Sequence, residues 1–197
     1  MRQETGSNSQ SGNNKVSIQV KLGGLSFSAE SVAVTEGAEV EFVIETPRVI
    51  LAPREEVSLD NADQLLALAG KPCRSNEQSV CSELQADIVA VMALDREALA
   101  SIVERWGGRL SFSSPLLDMR HSDESCLTVD MGEKVCYIRH FDSGLRYARA
   151  LECSTAEDLL YYVTEVVQGR KDLPIYIKGG EGAVKVLRRY FKRVICE

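Results

Sequence analysis

The sequence predicts an α/β fold made of two related halves, and three observations predict it. From residue 120 onward the apolar pattern reads as three strands in succession, then helix, strand, helix, strand. A short stretch recurs between the halves: Val20-Lys21-Leu22-Gly23 and Val129-Asp130-Met131-Gly132 each run apolar, charged, apolar, Gly at the end of a strand. The composition, 44% hydrophobic and 26% charged in 197 residues, is that of a globular chain with room for one domain or two small ones.

Residues 1–14 (MRQETGSNSQSGNN) hold almost nothing apolar and predict a disordered tail. Val16 to Leu22 alternates apolar and polar, the pattern of a half-buried strand, and Gly23-Gly24 predicts a hairpin turn into Leu25–Ala29. Val40–Ile44 and Val49–Ala52 are further strand candidates, separated by Pro47, which marks a bend or an edge. A short helix is expected from Asn61 to Ala69, stopped by Gly70 and Pro72, and residues 71–79 read as loop. Ile88–Ala93 is an unbroken apolar run, as in a strand covered on both faces. Asp95 is a good N-cap for a helix that stripes Ala98, Leu99, Ile102, Val103 and Trp106, ends at Gly107-Gly108, and leads to a strand at Leu110–Phe112.

In the second half the strands are Cys126–Met131, Val135–Phe141 and Leu145–Leu151, with turns at Gly132 and Gly144. Ser154-Thr155-Ala156-Glu157 reads as a capping box opening a helix whose stripe is Leu159, Leu160, Val163, Val166 and Val167. Pro174–Ile177 is a buried strand. Gly179-Gly180-Glu181-Gly182 turns into a last helix with Val184, Leu187, Tyr190 and Phe191 inward, and Val194–Cys196 closes the chain as a strand.

This βββαβαβ order is the ribonuclease-H-like arrangement. Residues 15–119 carry a reduced version of it, since strand candidates run almost unbroken from Val32 to Ala52 and leave no room for the first crossover helix. The chain resembles the actin-like ATPase superfamily. More closely, it is similar to an uncharacterised bacterial family with that fold. The resemblance rests on Val16–Val20 with Gly24-Leu25-Ser26-Phe27, on Thr46-Pro47-Arg48 leading to Leu51-Ala52-Pro53, on Ser113–Leu117, and on Glu157–Tyr162. It spans nearly all of residues 15–197 and departs from the family by its shortness between Ala33 and Glu39.

That resemblance implies two phosphate hairpins and a glycine-rich adenosine loop around Mg-ATP. Glycines let backbone N–H groups approach phosphate, and an aspartate holds Mg²⁺ or its waters. Asp130-Met131-Gly132 matches the second hairpin, and Gly179, Gly180 and Gly182 stand where the adenosine loop belongs. Gly23 closes the first hairpin, but Lys21 occupies the place of its aspartate, and a lysine cannot ligate Mg²⁺. Each match has a plainer explanation. Asp-x-Gly is common turn chemistry, and a Gly-rich strand-to-helix turn is often only a turn.

Other chemistries find less support. A two-metal nuclease needs several carboxylates, and Asp130 with Glu157 or Asp158 makes no convincing cluster. Cys136 and His140 share a strand face, which more often means core or edge residues than a catalytic dyad. Neither a nucleophile elbow nor a Walker A motif is present. The six cysteines and two histidines do not follow zinc-motif spacing, so free thiols are expected, with no metal ligand and no catalytic residue assigned.

The net charge of −6 argues against wholesale nucleic-acid binding. Lys185, Arg188, Arg189, Lys192 and Arg193 read as the solvated face of the last helix. No apolar run approaches a membrane span and no signal peptide is visible at Met1, so a cytosolic location is expected. The expectation for function is a non-catalytic interaction or scaffold module with an unidentified protein partner and no required cofactor. The alternative is an Mg-ATP-binding ATPase or kinase-like protein using Asp130 and the Gly179–Gly182 loop.

Overall fold

The computed structural model describes residues 15–20 and 39–197. The tail, Lys21, the turn expected at Gly23-Gly24, the strand expected at Leu25–Ala29 and residues 33–38, where no room is expected for a crossover helix, lie outside the described residues.

Among the described residues, eleven strands and four helices follow in order: β1 (Lys15–Val20), β2 (Glu39–Ile44), β3 (Val49–Pro53), α1 (Ala62–Leu68), β4 (Glu77–Cys81), β5 (Ile88–Asp95), α2 (Arg96–Trp106), β6 (Leu110–Ser113), β7 (Ser125–Met131), β8 (Val135–Asp142), β9 (Leu145–Glu152), α3 (Ala156–Val167), β10 (Ile175–Lys178), α4 (Glu181–Leu187) and β11 (Val194–Cys196). They form three sheets, ordered β1-β2-β6, β3-β5-β4 and β11-β10-β7-β8-β9.

The five-stranded sheet has the order expected for residues 120–197. Strands β7, β8 and β9 are antiparallel neighbours, and β10 and β11 add in parallel on the other side of β7. Alternation sorts each strand by face. Leu127, Val129, Cys136 and Ile138 pack against Leu159, Val163, Val184 and Leu187 of the two helices. Val135 and Tyr137 turn the other way and join Phe42, Ile44, Val49, Met92 and Leu116 of the preceding segment. Phe42 is fully buried, its ring 6.3 Å from those of Trp106 and Phe112. Burying such a ring contributes about 2–3 kcal/mol. Polar contacts also cross between the halves. Lys71 donates its ammonium to the Ala150 carbonyl at 2.7 Å and to that of Pro47, and Tyr137 donates to the Thr46 carbonyl at 3.5 Å.

The first half departs from the sequence reading in its pairing. Among its described residues, all the parallel pairing lies in β1-β2-β6. The Ile88 run, read as a strand covered on both faces ahead of the Asp95-capped helix and the Leu110–Phe112 strand, is the centre of a separate antiparallel sheet, β3-β5-β4. That sheet and α1 bury Val57, Leu66, Val89 and Val91 in a small core of their own. An apolar run covered on both faces looks the same in either kind of sheet, so the pattern could not distinguish them. Residues 71–79 are not all loop: β4 begins at Glu77, with Val80 inward and Gln78 and Ser79 only half-buried.

Helix details shift as well. Asp95 caps α2 by accepting from the Glu97 and Ala98 amides, but Val103 faces solvent at 48% exposure. The α3 capping box is one residue later than read, with Thr155 as cap and Asp158 returning the bond. Helix α4 ends at Leu187, so Tyr190 is exposed and Arg188, Arg189, Lys192 and Arg193 lie beyond the helix. All six thiols are free. No helix among the described residues is long and apolar enough to cross a membrane.

Candidate functional site

Strand β7 is the middle of the five-stranded sheet, and its alternation puts Cys126, Thr128 and Asp130 on the face away from α3 and α4. Asp130 stands at its carboxyl end, in register with Tyr137 on β8 and Lys178 on β10. Gly132 then turns the chain, its N–H donating to the Val135 carbonyl at 2.8 Å. A Cβ on Gly132 would lie 2.9 Å from Val135 Cγ1 and 3.1 Å from Glu45 Oε2. Glu45 follows the carboxyl end of β2, so the ends of β2 and β7 meet here.

Strand β10 delivers the glycine loop to the same end of the sheet. Gly179 and Gly180 take φ values of 77° and 63°, left-handed conformations that cost an L side chain. They also approach Met131 closely: a Cβ on Gly180 would lie 2.9 Å from Met131 Cγ, and one on Gly179 would lie 3.1 Å from the Met131 carbonyl. Gly182 is in the first turn of α4, with open space where a Cβ would stand. The structure therefore brings Asp130, Gly132, Gly179 and Gly180 together, with Gly182 one turn on, while Gly23 lies outside the described residues. Two of the glycines seat the loop against the Met131 side chain.

Asp130 has a partner that the sequence reading missed. Arg139, in the middle of β8, is 1% exposed. Its Nη2 donates to Asp130 Oδ2 at 2.6 Å, its Nε to Thr128 Oγ1 at 2.8 Å, and its Nη1 to the Pro115 carbonyl. A charged guanidinium this deep needs a counter-charge, and Asp130 supplies it. Pro115 is presented by a short 3₁₀ turn, Pro115–Leu117, capped by the Ser114 hydroxyl accepting from the Leu116 amide at 3.3 Å. The available signal was an arginine inside an otherwise apolar strand, directly opposite Thr128. Beside it, Tyr137 is held neutral far above neutral pH, first by burial and then by the charge of Glu45.

These residues do not fit a magnesium triphosphate of the kind the resemblance implies. The Asp130 carboxylate, which the resemblance would assign to the metal, is ion-paired to a buried cation. A metal ion sharing Asp130 would meet Arg139 with a repulsion of about 4 kcal/mol per unit charge at 4 Å and an effective dielectric near 20.

The other candidates separate in space. Glu157 and Asp158 lie on α3, across the sheet from Asp130, and Asp158 is occupied accepting from the Ser154 and Thr155 amides at 3.1 and 2.9 Å. Cys136 and His140 do share a face, but four residues of extended chain place them about 13 Å apart. Cys136 is in the core beneath α3, and His140 lies 3.0 Å from Arg170. Burial and the Arg170 charge lower the His140 pKa.

With this geometry the chain is an actin-like ATPase-fold protein. It is similar, with a TM-score of 0.68 and 19% identity, to a Bacteroides thetaiotaomicron VPI-5482 protein with an actin-like ATPase fold and unknown function, over 81% of this chain and 68% of that one. Weaker likenesses are to the cytoplasmic domain of EpsL, an inner-membrane component of the Vibrio cholerae type II secretion system (TM-score 0.40, 14% identity, 72% of this chain and 62% of that one), and to the AlfA filament bound to AMPPNP (0.38, 14%, 79% and 52%). Neither is close enough to carry an argument. No protein-family model matches the chain, and no curated protein matches it.

Proposed function

We propose that this protein is a non-catalytic interaction or scaffold module that keeps the actin-like fold without its ATPase chemistry. The observation that carries the reading is the Asp130–Arg139 pair: the carboxylate on which metal-dependent phosphate chemistry would depend neutralises a buried guanidinium instead. Two further features support it. Met131 packs on the glycine loop, and in the sequence Lys21 stands where the resemblance implies an acid. The partner in this reading is another protein, since the −6 net charge disfavours nucleic acid.

One observation favours a second reading, nucleotide binding without efficient hydrolysis. Asp130 and the Gly179-Gly180 loop sit at adjacent carboxyl ends of β7 and β10, where the fold would present a nucleotide. Thermal-shift titration with Mg-ATP and steady-state phosphate release separate the two. The scaffold reading expects no saturable rise in Tm, since a ligand that binds only the folded state must raise it, and blank-level phosphate release. A saturable rise overturns the scaffold reading; blank-level release beside it is the second reading's outcome, and release above blank that Asp130→Asn abolishes would show an active ATPase. That substitution keeps a hydrogen-bond acceptor for Arg139 but removes its counter-charge, so the Tm of the variant is measured beside its phosphate release.

A further inference from the structure

We propose that His121, Glu124 and Cys126 form a binding site for a zinc-like divalent cation, built where the chain enters β7. The three residues each offer one donor atom, and all three atoms lie within 4.8 Å of one another. His121 Nδ1 is 2.9 Å from Glu124 Oε1. Cys126, the second residue of β7, is fully buried beneath them. An imidazole nitrogen, a carboxylate oxygen and a thiolate sulfur are the donor set that suits zinc, and three protein ligands leave a fourth position for water or a substrate atom.

The surroundings single out this cluster from an ordinary charge network. A metal-bound histidine usually donates its second ring N–H to a carboxylate, and a metal-bound carboxylate is itself hydrogen-bonded. Both supports are in place. His121 Nε2 is 2.7 Å from Glu197 Oε1, and Glu197 is held in turn by Arg120 at 3.3 Å. Glu124 Oε2 accepts from the Tyr176 hydroxyl at 2.9 Å, and the Tyr176 ring stacks on the imidazole with centroids 4.1 Å apart. These contacts fix the ring and orient Nδ1 toward Glu124.

The fit asks for movements of up to about 1 Å, since donors up to 4.8 Å apart must close to the spacing of a tetrahedral ion. Tetrahedral zinc with bonds of about 2.0–2.3 Å sets its donors roughly 3.3–3.8 Å apart, so the His121–Glu124 contact opens by a few tenths of an ångström. On binding, the Cys126 S–H bond breaks and His121 Nδ1 gives up the proton it directs at Glu124; both protons pass to solvent, and the freed sulfur and nitrogen lone pairs form the metal bonds while Nε2 keeps its proton toward Glu197. Spacing along the chain concealed the site, because His121-x-x-Glu124-x-Cys126 matches no common motif and two of the supporting residues come from β10 and the end of the chain.

The test is titration of the reduced, metal-stripped full chain with Co²⁺, followed by displacement with Zn²⁺. The expected result is one cobalt per chain, with strong visible bands of a four-coordinate ion and a near-ultraviolet thiolate charge-transfer band. Cys126→Ser should abolish the charge-transfer band, and the Cys196→Ser control should retain it. Tyr176→Phe should keep the band and weaken binding by about 10–100-fold. Because a buried cysteine variant could fail to fold, Glu124→Gln, at an exposed carboxylate, is measured in parallel and should also weaken binding. No thiolate band at excess cobalt overturns the proposal, as does a band that Cys126→Ser leaves intact or affinity unchanged in Glu124→Gln.

Discussion

Replacing Asp130 with alanine should destabilise the fold, and the size of the loss distinguishes a structural ion pair from an idle active-site carboxylate. The Arg139 side chain is 2% exposed and that of Asp130 is 16% exposed. After truncation the hydrogen-bond acceptors left to the guanidinium among the described residues are neutral, Thr128 Oγ1 and the Pro115 carbonyl, and the Asp118 carboxylate acts on it through space alone. Breaking a buried pair by removing one partner costs about 3–5 kcal/mol. The lower end applies here, about 3 kcal/mol, since the space left by Asp130 opens toward water. For a chain of this size that is a fall in Tm of roughly 6–12 °C. Differential scanning calorimetry or urea unfolding reads it directly. The partner change makes the attribution specific: Arg139→Met combined with Asp130→Ala removes both charges and should recover most of the loss. A Tm that stays within about 2 °C of the natural protein in Asp130→Ala, or rises, refutes the reasoning, because relief of an unsatisfied catalytic carboxylate gives a neutral or stabilising effect.

Two further outcomes follow from the same contacts. Burial and the nearby charges of Arg149 and Arg48 lower the Lys71 pKa from its ordinary value to about 8. Between about pH 8 and the ordinary lysine value the unfolded chain therefore binds more protons than the folded one, and this residue's contribution makes stability rise with pH across that window. Urea unfolding over that range should show the rise as a difference between the natural protein and Lys71→Met; identical pH slopes in the two would count against it. At Gly180 the left-handed φ of 63° and the 2.9 Å approach of Met131 both oppose a side chain. Gly180→Ala should lower stability by about 1–3 kcal/mol, with partial recovery in Gly180→Ala/Met131→Ala, which keeps the backbone strain and removes the clash. Thermal melts of the two variants check it, and full stability in the single variant would show that the loop rearranges freely.

Much of the second half was legible in the sequence because its information is local. Leu127, Val129, Ile138, Leu159, Val163 and Leu187 fall at strand or helix periods, and each packs into the core under α3 and α4. Those periods, with turn residues such as Gly132 and Gly144, determine which segments are strands and helices and in what order, and the order over residues 120–197 is enough to name the arrangement. Periodicity carries no partner. It could not place β5 in a separate antiparallel sheet, because Val89, Val91 and Met92 would be equally buried in a parallel one. Nor could it foresee β4, whose five residues present only two buried positions. The charge partners were further out of reach. Asp130 and Arg139 are nine residues apart on two strands, and only their antiparallel register puts the guanidinium against Thr128 and Asp130. The cluster of His121, Glu124 and Cys126 draws its support from Tyr176 and Glu197, dozens of residues away. By itself the sequence determined the elements and the fold class, through short-range alternation of apolar and polar side chains. What each charged group faces was decided by the tertiary structure, since a buried charge is satisfied by whichever group the fold brings within hydrogen-bonding distance, however far away it lies along the chain.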